Sequence, residues 1–589
     1  MPSSLSEPHR SRFRGRHHPR AADRIIPTRD PLGPRAHLTD FARRVILVRV
    51  VLVALALFVT RPIPPADLVV ENARIWSDGL TGQATFAAIT DGRFVYVGAP
   101  DPDFIGPGTE RIDARGRLVI PGLIDSHVHM LNGGLGLSQL LLRDAKDKDD
   151  FIRKVGEWAK SLPEGKWVLG GRWSTESWAT PEQPTKEWVD PVTGSRPLYL
   201  PRMDGHSALV NSAALKLAGI TKTGPPNPEG GVIDRDPATG EPTGILRESA
   251  MGLVSRLIPP PTREEKLAAL VRAMREANAN GITAVSDIPP FADLPVYEDL
   301  AKLEGISVRF FLYPTAEDWT EAVRHRFRGK SGWIELKGFK AYMDGSLGSR
   351  TAYMRAPFNN NPADQTNWRG LLREGVEDGK IEKNFKAAAA ANKQSIAHAI
   401  GDEANHMLLD MLSRAYPNLK TARCRSEHTQ HLLPNDIARF AKLGVIASMQ
   451  PYHKADDGRY AESYIGAERC KSSYAFRSLQ RAGAIVAFGS DWPVVTINPF
   501  LGIEAAVTGK TLDGKYWQTQ ENLTMAEALR CYTSNGAYAA FAEKEIGRLA
   551  EGLRADFVIL DVMPNAEPNW PNVKPFAVYV EGKKVYGTD

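Results

Sequence analysis

Short apolar runs recur along the chain, and most of them end at a Gly, Ser, Asp or another turn-forming residue. The runs occupy residues 118–124, 282–286, 308–312, 334–339, 395–397, 422–427, 445–449 and 484–490, with 422–427 the most polar. Apolar runs of this length between turn-formers are typical of buried strands in a parallel sheet. Eight of them predict an α/β fold, a (β/α)8 TIM barrel.

Metal-binding types of side chain follow several of these runs. They are His127, His129, Lys340, His398, His428 and Asp491. Residues i and i+2 of a strand point to the same side, so His127 and His129 can face one ion. A His-x-His pair alone is weak evidence for a metal site. The other candidates strengthen it, because the carboxyl ends of barrel strands meet at one face. The set therefore predicts one or two divalent ions, with zinc as the default because imidazole suits it.

Six segments of the chain resemble a known family in the expected order. They are residues 121–129, 338–352, 398–402, 427–430, 489–494 and 547–561. The first resembles the metal motif of the amidohydrolase superfamily, and 338–352 resembles the YtcJ-like branch that includes N-substituted formamide deformylases. The resemblance covers roughly residues 68–587, and it is far more specific for the family than for a substrate.

The resemblance implies an unusual role for Lys340. An ammonium group has no lone pair, so an unmodified lysine would repel a metal ion. The family carboxylates this lysine with CO2, which gives an anionic carbamate that bridges two ions. The alternatives are a salt bridge to Asp344 or an amine that binds substrate directly. Lys337 stands three residues earlier and matches no motif position.

The other proposed ligands also have structural alternatives. His398 and His428 could be buried histidines with ordinary hydrogen bonds, and Asp491 could cap the helix expected after Pro493. We favour Asp491 as both metal ligand and proton carrier, because hydrolysis needs a group that moves a proton there. We expect His406 and His431 at surface or helix positions and leave them out of the site.

The predicted reaction is hydrolysis of a non-peptide C–N bond, of an amide or formamide type, by a metal-activated hydroxide. Other hydrolytic reactions on the same barrel, namely opening of a cyclic amide or lactone or deamination, stay as alternatives. Deaminases of the superfamily usually have a glutamate three residues after their strand-five histidine, and Gly401 occupies that place. A non-catalytic scaffold is a further alternative, but such a protein would be expected to have lost ligands.

Both ends of the chain contain short strands outside the barrel, with hairpin turns at Asp91-Gly92 and Glu581-Gly582. We expect them to form one composite β-sandwich. The predicted organisation is an Arg-rich N-terminus at 1–64, the sandwich at 65–120 and 546–589, and the barrel at 121–545 with an insertion at 131–280.

The insertion has several tryptophans, which we expect in its core. In the family, an Arg-x-Asp-x-His segment lies near the substrate, so the resemblance implies a binding role for Arg202, Asp204 and His206. His453, which follows the seventh apolar run, is a further candidate for substrate binding.

Charge is concentrated at the N-terminus. The first 64 residues contain twelve Arg and no Lys against four acidic residues, whereas the whole chain has a net charge of +5. After the N-terminus, no cluster of basic residues indicates nucleic-acid binding. We therefore expect a small-molecule substrate, and homo-oligomerisation stays open. The three cysteines, at 424, 470 and 531, are scattered, which favours buried reduced thiols.

Arg43-Arg44 precedes an apolar run, and residues 43–60 resemble an export signal with a twin-arginine motif more than a transmembrane helix. The alternative is that translation starts after Met1, so that this segment is not translated. We expect export, or membrane contact through 43–60, if the signal is genuine and a cytoplasmic protein otherwise. Residues 1–64 should then be dispensable for folding and catalysis.

Overall fold

The structure, a computed structural model, describes residues 64–175, 178–180, 182–202, 206–363, 366–561 and 572–587. The predicted signal or anchor at 43–60 lies outside these residues and stays a prediction. Among the described residues, no helix combines the length and apolar character needed to cross a bilayer.

The strands are numbered in chain order. They are β1 (Leu68–Glu71), β2 (Arg74–Ile75), β3 (Phe86–Thr90), β4 (Arg93–Gly98), β5 (Glu110–Asp113), β6 (Leu118–Pro121), β7 (Leu123–Val128), β8 (Leu140–Leu141), β9 (Val168–Gly171), β10 (Leu198–Pro201), β11 (Ser207–Val210), β12 (Gly231–Arg235), β13 (Pro242–Glu248), β14 (Ile282–Asp287), β15 (Arg309–Leu312), β16 (Ile334–Leu336), β17 (Gly338–Tyr342), β18 (Gln394–Ala399), β19 (Arg425–His428), β20 (Ile446–Met449), β21 (Val486–Phe488), β22 (Phe557–Leu560), β23 (Pro575–Val580) and β24 (Lys583–Gly587).

Helices fill most of the connections between these strands. The α-helices are Met130–Gly136, Lys148–Ser161, Lys186–Thr193, Ser212–Leu217, Gly252–Ser255, Arg263–Ala279, Leu294–Leu300, Trp319–Ala322, Lys380–Ala390, Asp402–Ala415, Leu419–Ala422, Pro434–Leu443, Pro451–Asp457, Ala461–Ile465, Ala467–Cys470, Phe476–Arg481, Pro499–Thr508, Met525–Cys531 and Ser534–Ala539. Short 3₁₀ turns occupy Pro102–Phe104, Ser249–Met251, Phe291–Asp293 and Thr519–Glu521.

Two parallel sheets form the predicted barrel. Their strand orders are β16-β15-β14-β7 and β17-β18-β19-β20-β21. β16 and β17 together fill one strand position, because only Lys337 separates them and Lys340 of β17 forms a bridge with Thr315 beyond β15. At the other edge, the backbone N–H of Asp491 donates to the carbonyl of His127 at 2.7 Å. These contacts join the two sheets into eight positions, which confirms the (β/α)8 barrel.

Strands from both ends of the chain share a sheet, as the sequence predicts. β6 pairs antiparallel with β22, and the full order is β2-β6-β22-β23-β24 beside a second sheet, β4-β3-β1-β5. Leu68 and Ile89 of one sheet share an apolar core with Phe557 and Tyr579 of the other. The composite β-sandwich is therefore confirmed. The apolar run at 118–124 is divided, since β6 belongs to this sandwich and the first barrel strand begins at Leu123.

The predicted hairpin turns have the backbone that such turns require. Asp91 and Gly92 have φ values of 51° and 71°, and Glu581 and Gly582 have 50° and 71°. Two consecutive residues with positive φ match the right-handed twist of the strands that they join. The first turn connects β3 to β4 and the second connects β23 to β24.

The insertion contains a sheet that the sequence analysis did not predict. Its order is β12-β13-β11-β10-β9-β8. Trp173, Trp178 and Trp188 are buried in one of its apolar clusters, which confirms the expectation that the tryptophans form a core. The three cysteines are likewise buried and free, as predicted.

A buried ion pair fastens the sandwich to the barrel. Arg309 on β15 donates from Nε and Nη2 to the Asp556 carboxylate at 2.8 and 3.1 Å, and Nη2 also reaches Glu581 at 3.2 Å. The Arg309 and Asp556 side chains are each 2% exposed. Removing one partner of such a pair leaves the other charge buried and unpaired, which is costly.

We therefore expect Arg309→Met to lower the free energy of unfolding by about 3–5 kcal/mol. The midpoint of urea unfolding, followed by circular dichroism, measures this. The control is Arg93→Met, which breaks an exposed pair with Glu545 in the same region and should shift the midpoint much less. Equal midpoints for the two variants would contradict the role given to Arg309.

Candidate metal centre

The predicted metal ligands converge at the carboxyl ends of the barrel strands. His127, His428 and Asp491 are buried and offer one ligand atom each, and these atoms lie within 4.8 Å of one another. They come from β7, from β19 and from the segment after β21. Residues 300 and more positions apart in the chain therefore meet because their strands close into one barrel.

Glu427 and Arg425 of β19 hold the imidazole of His127 in place. Nδ1 of His127 lies 2.5 Å from Oε2 of Glu427, and Nε of Arg425 donates to the other carboxylate oxygen at 2.7 Å. Burial raises the pKa of Glu427, but Arg425 and His127 outweigh it and hold the pKa at about 2. The carboxylate fixes the proton of His127 on Nδ1, which leaves the Nε2 lone pair facing the site.

His129 and Asp491 face the same point as His127. Nε2 of His129 lies 3.2 Å from Oδ1 of Asp491, and Nε2 of His127 lies 3.5 Å from it. Nδ1 of His129 lies 3.1 Å from the carbonyl of Ile288, a contact in which the ring donates. Both imidazoles of the His-x-His pair therefore turn Nε2 toward one carboxylate oxygen.

Lys340 reaches the same space from β17. Its Nζ lies 3.4 Å from Nε2 of His127, and the residue is 2% exposed. Burial lowers the pKa of Lys340 to about 8. The amine is thus far easier to deprotonate than that of a lysine in water, which is the condition for reaction with CO2.

His398 and His428 complete the group from β18 and β19. Their ring centroids are 4.4 Å apart, and His428 lies 4.8 Å from the His127 ring. Nε2 of His398 lies 2.9 Å from the carbonyl of Gly345, so Nδ1 is left for a ligand. Burial lowers the pKa of His398 to about 3, that of His127 to about 4, and that of His428 well below its usual value. All three are neutral at pH 7, as metal ligation requires.

Two of these residues adopt the left-handed backbone conformation. His428 has a φ of 74° and Asp491 a φ of 59°. In a regular strand, Glu427 and His428 would point to opposite sides. The turn at His428 ends the alternation, so that both side chains reach His127. Strained non-glycine residues of this kind cluster at functional sites.

The site opens into a cavity of about 400 Å³. All six predicted ligands line it, and so does His453. The His453 ring is parallel to that of His428 at 6.2 Å, and its Nε2 is buried without a hydrogen-bond partner among the described residues. His453 is thus placed where a substrate group could bind.

Arg202 and His206, two of the other predicted substrate contacts, are not brought together with the proposed ligands. Neither Arg202 nor His206 lines the cavity, and His206, whose side chain is 72% exposed, pairs with Glu248 at 3.0 Å. Asp204 lies outside the described residues. Their role therefore stays a prediction, and the geometry does not add to it.

Two alternatives weighed for the proposed ligands are answered by contacts. Asp344 accepts backbone N–H groups of Ile400 and Gly401 at 3.0 and 2.8 Å, and among the described residues the side chain within ion-pair distance of it is His398 rather than Lys340. The next helix begins at Pro499 with Asn498 as its cap, so Asp491 is not a cap.

The expectation for His431 is wrong. His431 is 1% exposed rather than a surface or helix residue, and its Nδ1 lies 2.7 Å from the hydroxyl of Ser473. It follows β19 in a buried loop, whereas His406 does lie on a helix, within Asp402–Ala415.

The sequence analysis gave no role to Arg425 and Glu427. Both are fully buried, and Arg425 also donates to the hydroxyls of Ser286 and Ser448 at 3.1 Å. The signal was present, because two opposite charges at i and i+2 point to the same side of a strand. It was overlooked because the run at 422–427 is the most polar of the eight.

These residues fit a divalent ion. Four imidazoles and a carboxylate are donors of the kind that zinc prefers. Nδ1 of His428 is buried and has no hydrogen-bond partner among the described residues, a state that buried polar atoms rarely adopt. An ion would satisfy it.

The chain is similar to known proteins over most of its length. The sequence pattern of the amidohydrolase family matches residues 110–586. Protein LONG AFTER FAR-RED 3 of Arabidopsis thaliana is 38% identical, over 88% of this chain and 92% of its own. The putative amidohydrolase YtcJ of Bacillus subtilis is 31% identical, over 78% and 87%. The N-substituted formamide deformylase of Arthrobacter pascens is 25% identical, over 85% and 94%.

A solved structure shares the architecture. An uncharacterised metal-dependent hydrolase from Pyrococcus furiosus superposes with a TM-score of 0.69 at 25% identity, over 84% of this chain and 99% of its own. The barrel and its convergent ligands define a metal-dependent hydrolase. The chain belongs to the amidohydrolase family, which confirms the resemblance read from its motifs.

Glu427→Gln tests how the site is held. The change keeps the size of the side chain but removes the charge that orients His127, and we expect metal affinity to fall about 10–100-fold. Competition with a chelator measures the affinity. Glu543→Gln, which breaks an ion pair with Arg423 away from the metal cavity, is the control and should leave the affinity unchanged. If Glu427→Gln behaves like this control while folded, Glu427 does not position the ligand.

Proposed function

We propose that this protein hydrolyses a non-peptide C–N bond in an amide or formamide-like small molecule, using one or two zinc ions. The observation that carries the proposal is the convergence of His127, His428 and Asp491 donor atoms within 4.8 Å in a buried site. The similarity to an N-substituted formamide deformylase supports the choice of bond. The proposed ligands are His127, His129, Lys340, His398, His428 and Asp491.

The ion would supply two kinds of chemistry when bound, a lowered pKa for a coordinated water and polarisation of the substrate carbonyl. The chain's own residues hold the reacting groups. Burial keeps His127, His398 and His428 neutral. Hydrogen-bond partners orient the rings, as Glu427 does for His127. The 400 Å³ cavity confines the substrate beside them.

Asp491 is the proposed proton carrier. Burial raises the pKa of its carboxyl group, but the imidazoles around it, led by His127, outweigh this and hold the pKa well below its usual value. The group is therefore ionised at neutral pH and can accept a proton. We propose that it takes a proton from the attacking water and returns it to the departing amine.

Lys340 is the proposed site of a CO2-derived carbamate. Its amine lies 3.4 Å from Nε2 of His127. As an ammonium, it would face the proposed ligands as a cation. Addition of CO2 to the neutral amine forms an N–C bond and releases one proton, and the product is an anion that can bind metal.

The pH dependence of reactivation tests the carbamate. Only the neutral amine adds CO2, and with a pKa of about 8 its fraction rises as the pH rises through 8. At a fixed partial pressure of CO2, the stripped enzyme should regain metal and activity on the order of tenfold faster at pH 8.5 than at pH 6.5. Lys340→Ala should show no CO2 dependence and should be partly rescued by a short carboxylic acid. Full metal content and activity in Lys340→Ala would exclude Lys340 as a ligand.

Asp491→Asn tests the proton carrier. The amide keeps the size and one oxygen ligand but loses the basicity, so kcat should fall about 10²–10⁴-fold. KM should change far less, because the lost interaction belongs mainly to the transition state. Metal content is measured in the same preparation, since loss of the ion would also lower kcat. Normal metal with near-normal kcat would move the role to another residue, with His453 the candidate that lines the cavity.

A further inference from the structure

One wall of the metal cavity is polar and is made of residues other than the proposed metal ligands. It is formed by the helix Pro451–Asp457 and by Tyr460, which lies just beyond the end of that helix. His453 and Asp457 are one turn apart on the helix and therefore share a face. The His453 ring is parallel to that of His428 at 6.2 Å. The wall thus borders the space in which a substrate would meet the proposed ligands.

The carboxylate of Asp457 organises this wall. Its Oδ1 accepts from the hydroxyl of Tyr460 at 2.6 Å, and its Oδ2 accepts from the hydroxyl of Tyr474 at 2.6 Å and from Nε2 of Gln430 at 2.5 Å. Burial raises the pKa of Asp457, and the two hydroxyls oppose this by stabilising the ionised form. Both carboxylate oxygens therefore act as acceptors, and the buried group is hydrogen-bonded on each side.

The Tyr460 hydroxyl is consequently left as an acceptor. A phenol group has one proton to donate, and the proton of Tyr460 is used in the bond to Asp457. Within the part of the chain that the structure describes, no residue donates to the Tyr460 oxygen. The oxygen can therefore accept a hydrogen bond from a bound molecule, but it has no proton to offer one.

Gly348 leaves the space in front of this oxygen open. A Cβ atom at position 348 would lie 3.4 Å from the hydroxyl oxygen of Tyr460, and Gly348 also lines the metal cavity. Three residues earlier, the carbonyl of Gly345 contacts His398 at 2.9 Å. The Tyr460 oxygen thus faces a segment that passes beside the proposed ligands. In a formamide the acyl side carries only hydrogen, so the groups that can reach this oxygen are the amide nitrogen and its substituent.

Resting on the proposed amide hydrolysis, we propose that Tyr460 is a specificity-determining residue, which accepts a hydrogen bond from an N–H or O–H group at or next to the leaving amine. Asp457 sets the direction of this bond, and Gln430 and Tyr474 hold Asp457 in place. Where the donor is the scissile amide N–H, the same contact favours amides over oxygen esters, which have no such proton.

Two pairs of substrates, measured at pH 8 on the zinc-loaded full chain, distinguish the two possible donors. N-propylformamide and N-methyl-N-propylformamide differ in the amide N–H. N-(2-hydroxyethyl)formamide and N-(2-methoxyethyl)formamide differ in an O–H on the substituent. The measured quantity is the ratio of kcat/KM within each pair, compared between wild type and variant. Metal content and folded fraction cancel in this ratio, because both substrates are measured on the same preparation.

Tyr460→Phe removes the acceptor and keeps the ring. In at least one pair, the preference for the substrate with the donor should fall about three- to tenfold, the size expected for one lost hydrogen bond. Tyr464→Phe is the matched control and should leave both ratios unchanged. Its ring lies 5.2 Å from that of Tyr460, but Tyr464 does not line the metal cavity.

Two further variants keep the Tyr460 hydroxyl. Gly348→Val fills the space in front of the oxygen without changing its partners, and it should lower the same ratio as Tyr460→Phe. Asp457→Asn presents an NH2 group toward Tyr460, because Gln430 and Tyr474 donate on the other side. The hydroxyl proton is then free to turn toward the substrate, and the preference for a donor should again fall about three- to tenfold. An unchanged ratio in Asp457→Asn would remove Asp457 from the proposal.

The remaining outcomes separate this inference from the proposed function. Hydrolysis of the formamides with ratios that Tyr460→Phe leaves unchanged in both pairs, or that Tyr464→Phe lowers equally, overturns the inference alone. A zinc-loaded enzyme that hydrolyses none of the four formamides overturns the proposed function and this inference with it.

Discussion

Arg425 and Glu427 form an ion pair with no solvent exposure inside the barrel, and this pair orients His127 of the candidate metal centre. A buried charge is tolerated only when it is paired and hydrogen-bonded. Glu427 uses one oxygen for Arg425 and the other for His127, while Arg425 also contacts Ser286 and Ser448. The pair therefore links four strands, β7, β14, β19 and β20, and it orients a proposed ligand by the same contacts. Neither partner can be changed alone without leaving a buried charge unpaired.

The site also depends on where the strands stop being regular. Strand alternation would send Glu427 and His428 to opposite sides, and the left-handed conformation of His428 brings both toward His127. Asp491, after β21, adopts the same left-handed conformation. Its backbone N–H donates to the carbonyl of His127 and so joins the last barrel strand to the first. The contact that completes the fold therefore also places the carboxylate among the imidazoles. Fold closure and site assembly share one set of atoms.

The sequence predicted the parts of the molecule that local pattern determines. Each barrel strand corresponds to one of the runs, and each proposed ligand follows such a run, so the barrel and the convergence of these six residues in one cavity were both accessible from the sequence. The hairpins at Asp91-Gly92 and Glu581-Gly582 were predictable because each turn contains a glycine, which readily adopts the positive φ that the turn requires. The family resemblance supplied what the pattern does not contain, above all the proposed carboxylation of Lys340.

Other features depend on contacts between distant segments, which no local pattern reveals. Arg309 and Asp556 are 247 positions apart, and nothing beside either residue indicates the pair. His431 was expected at a surface or helix position, but it lies in a buried loop beside Ser473. The insertion's sheet was missed because its strands are short and lie between loops rather than at regular intervals.

The most direct test of the central claim is a crystal structure of the active enzyme with anomalous diffraction recorded on both sides of the zinc absorption edge. The account predicts one or two anomalous peaks at about 2.0–2.2 Å from donor atoms of His127, His129 and Asp491, with density for a carbamate on Lys340. An active crystal without a peak at these residues, or with its ion bound elsewhere, would contradict it.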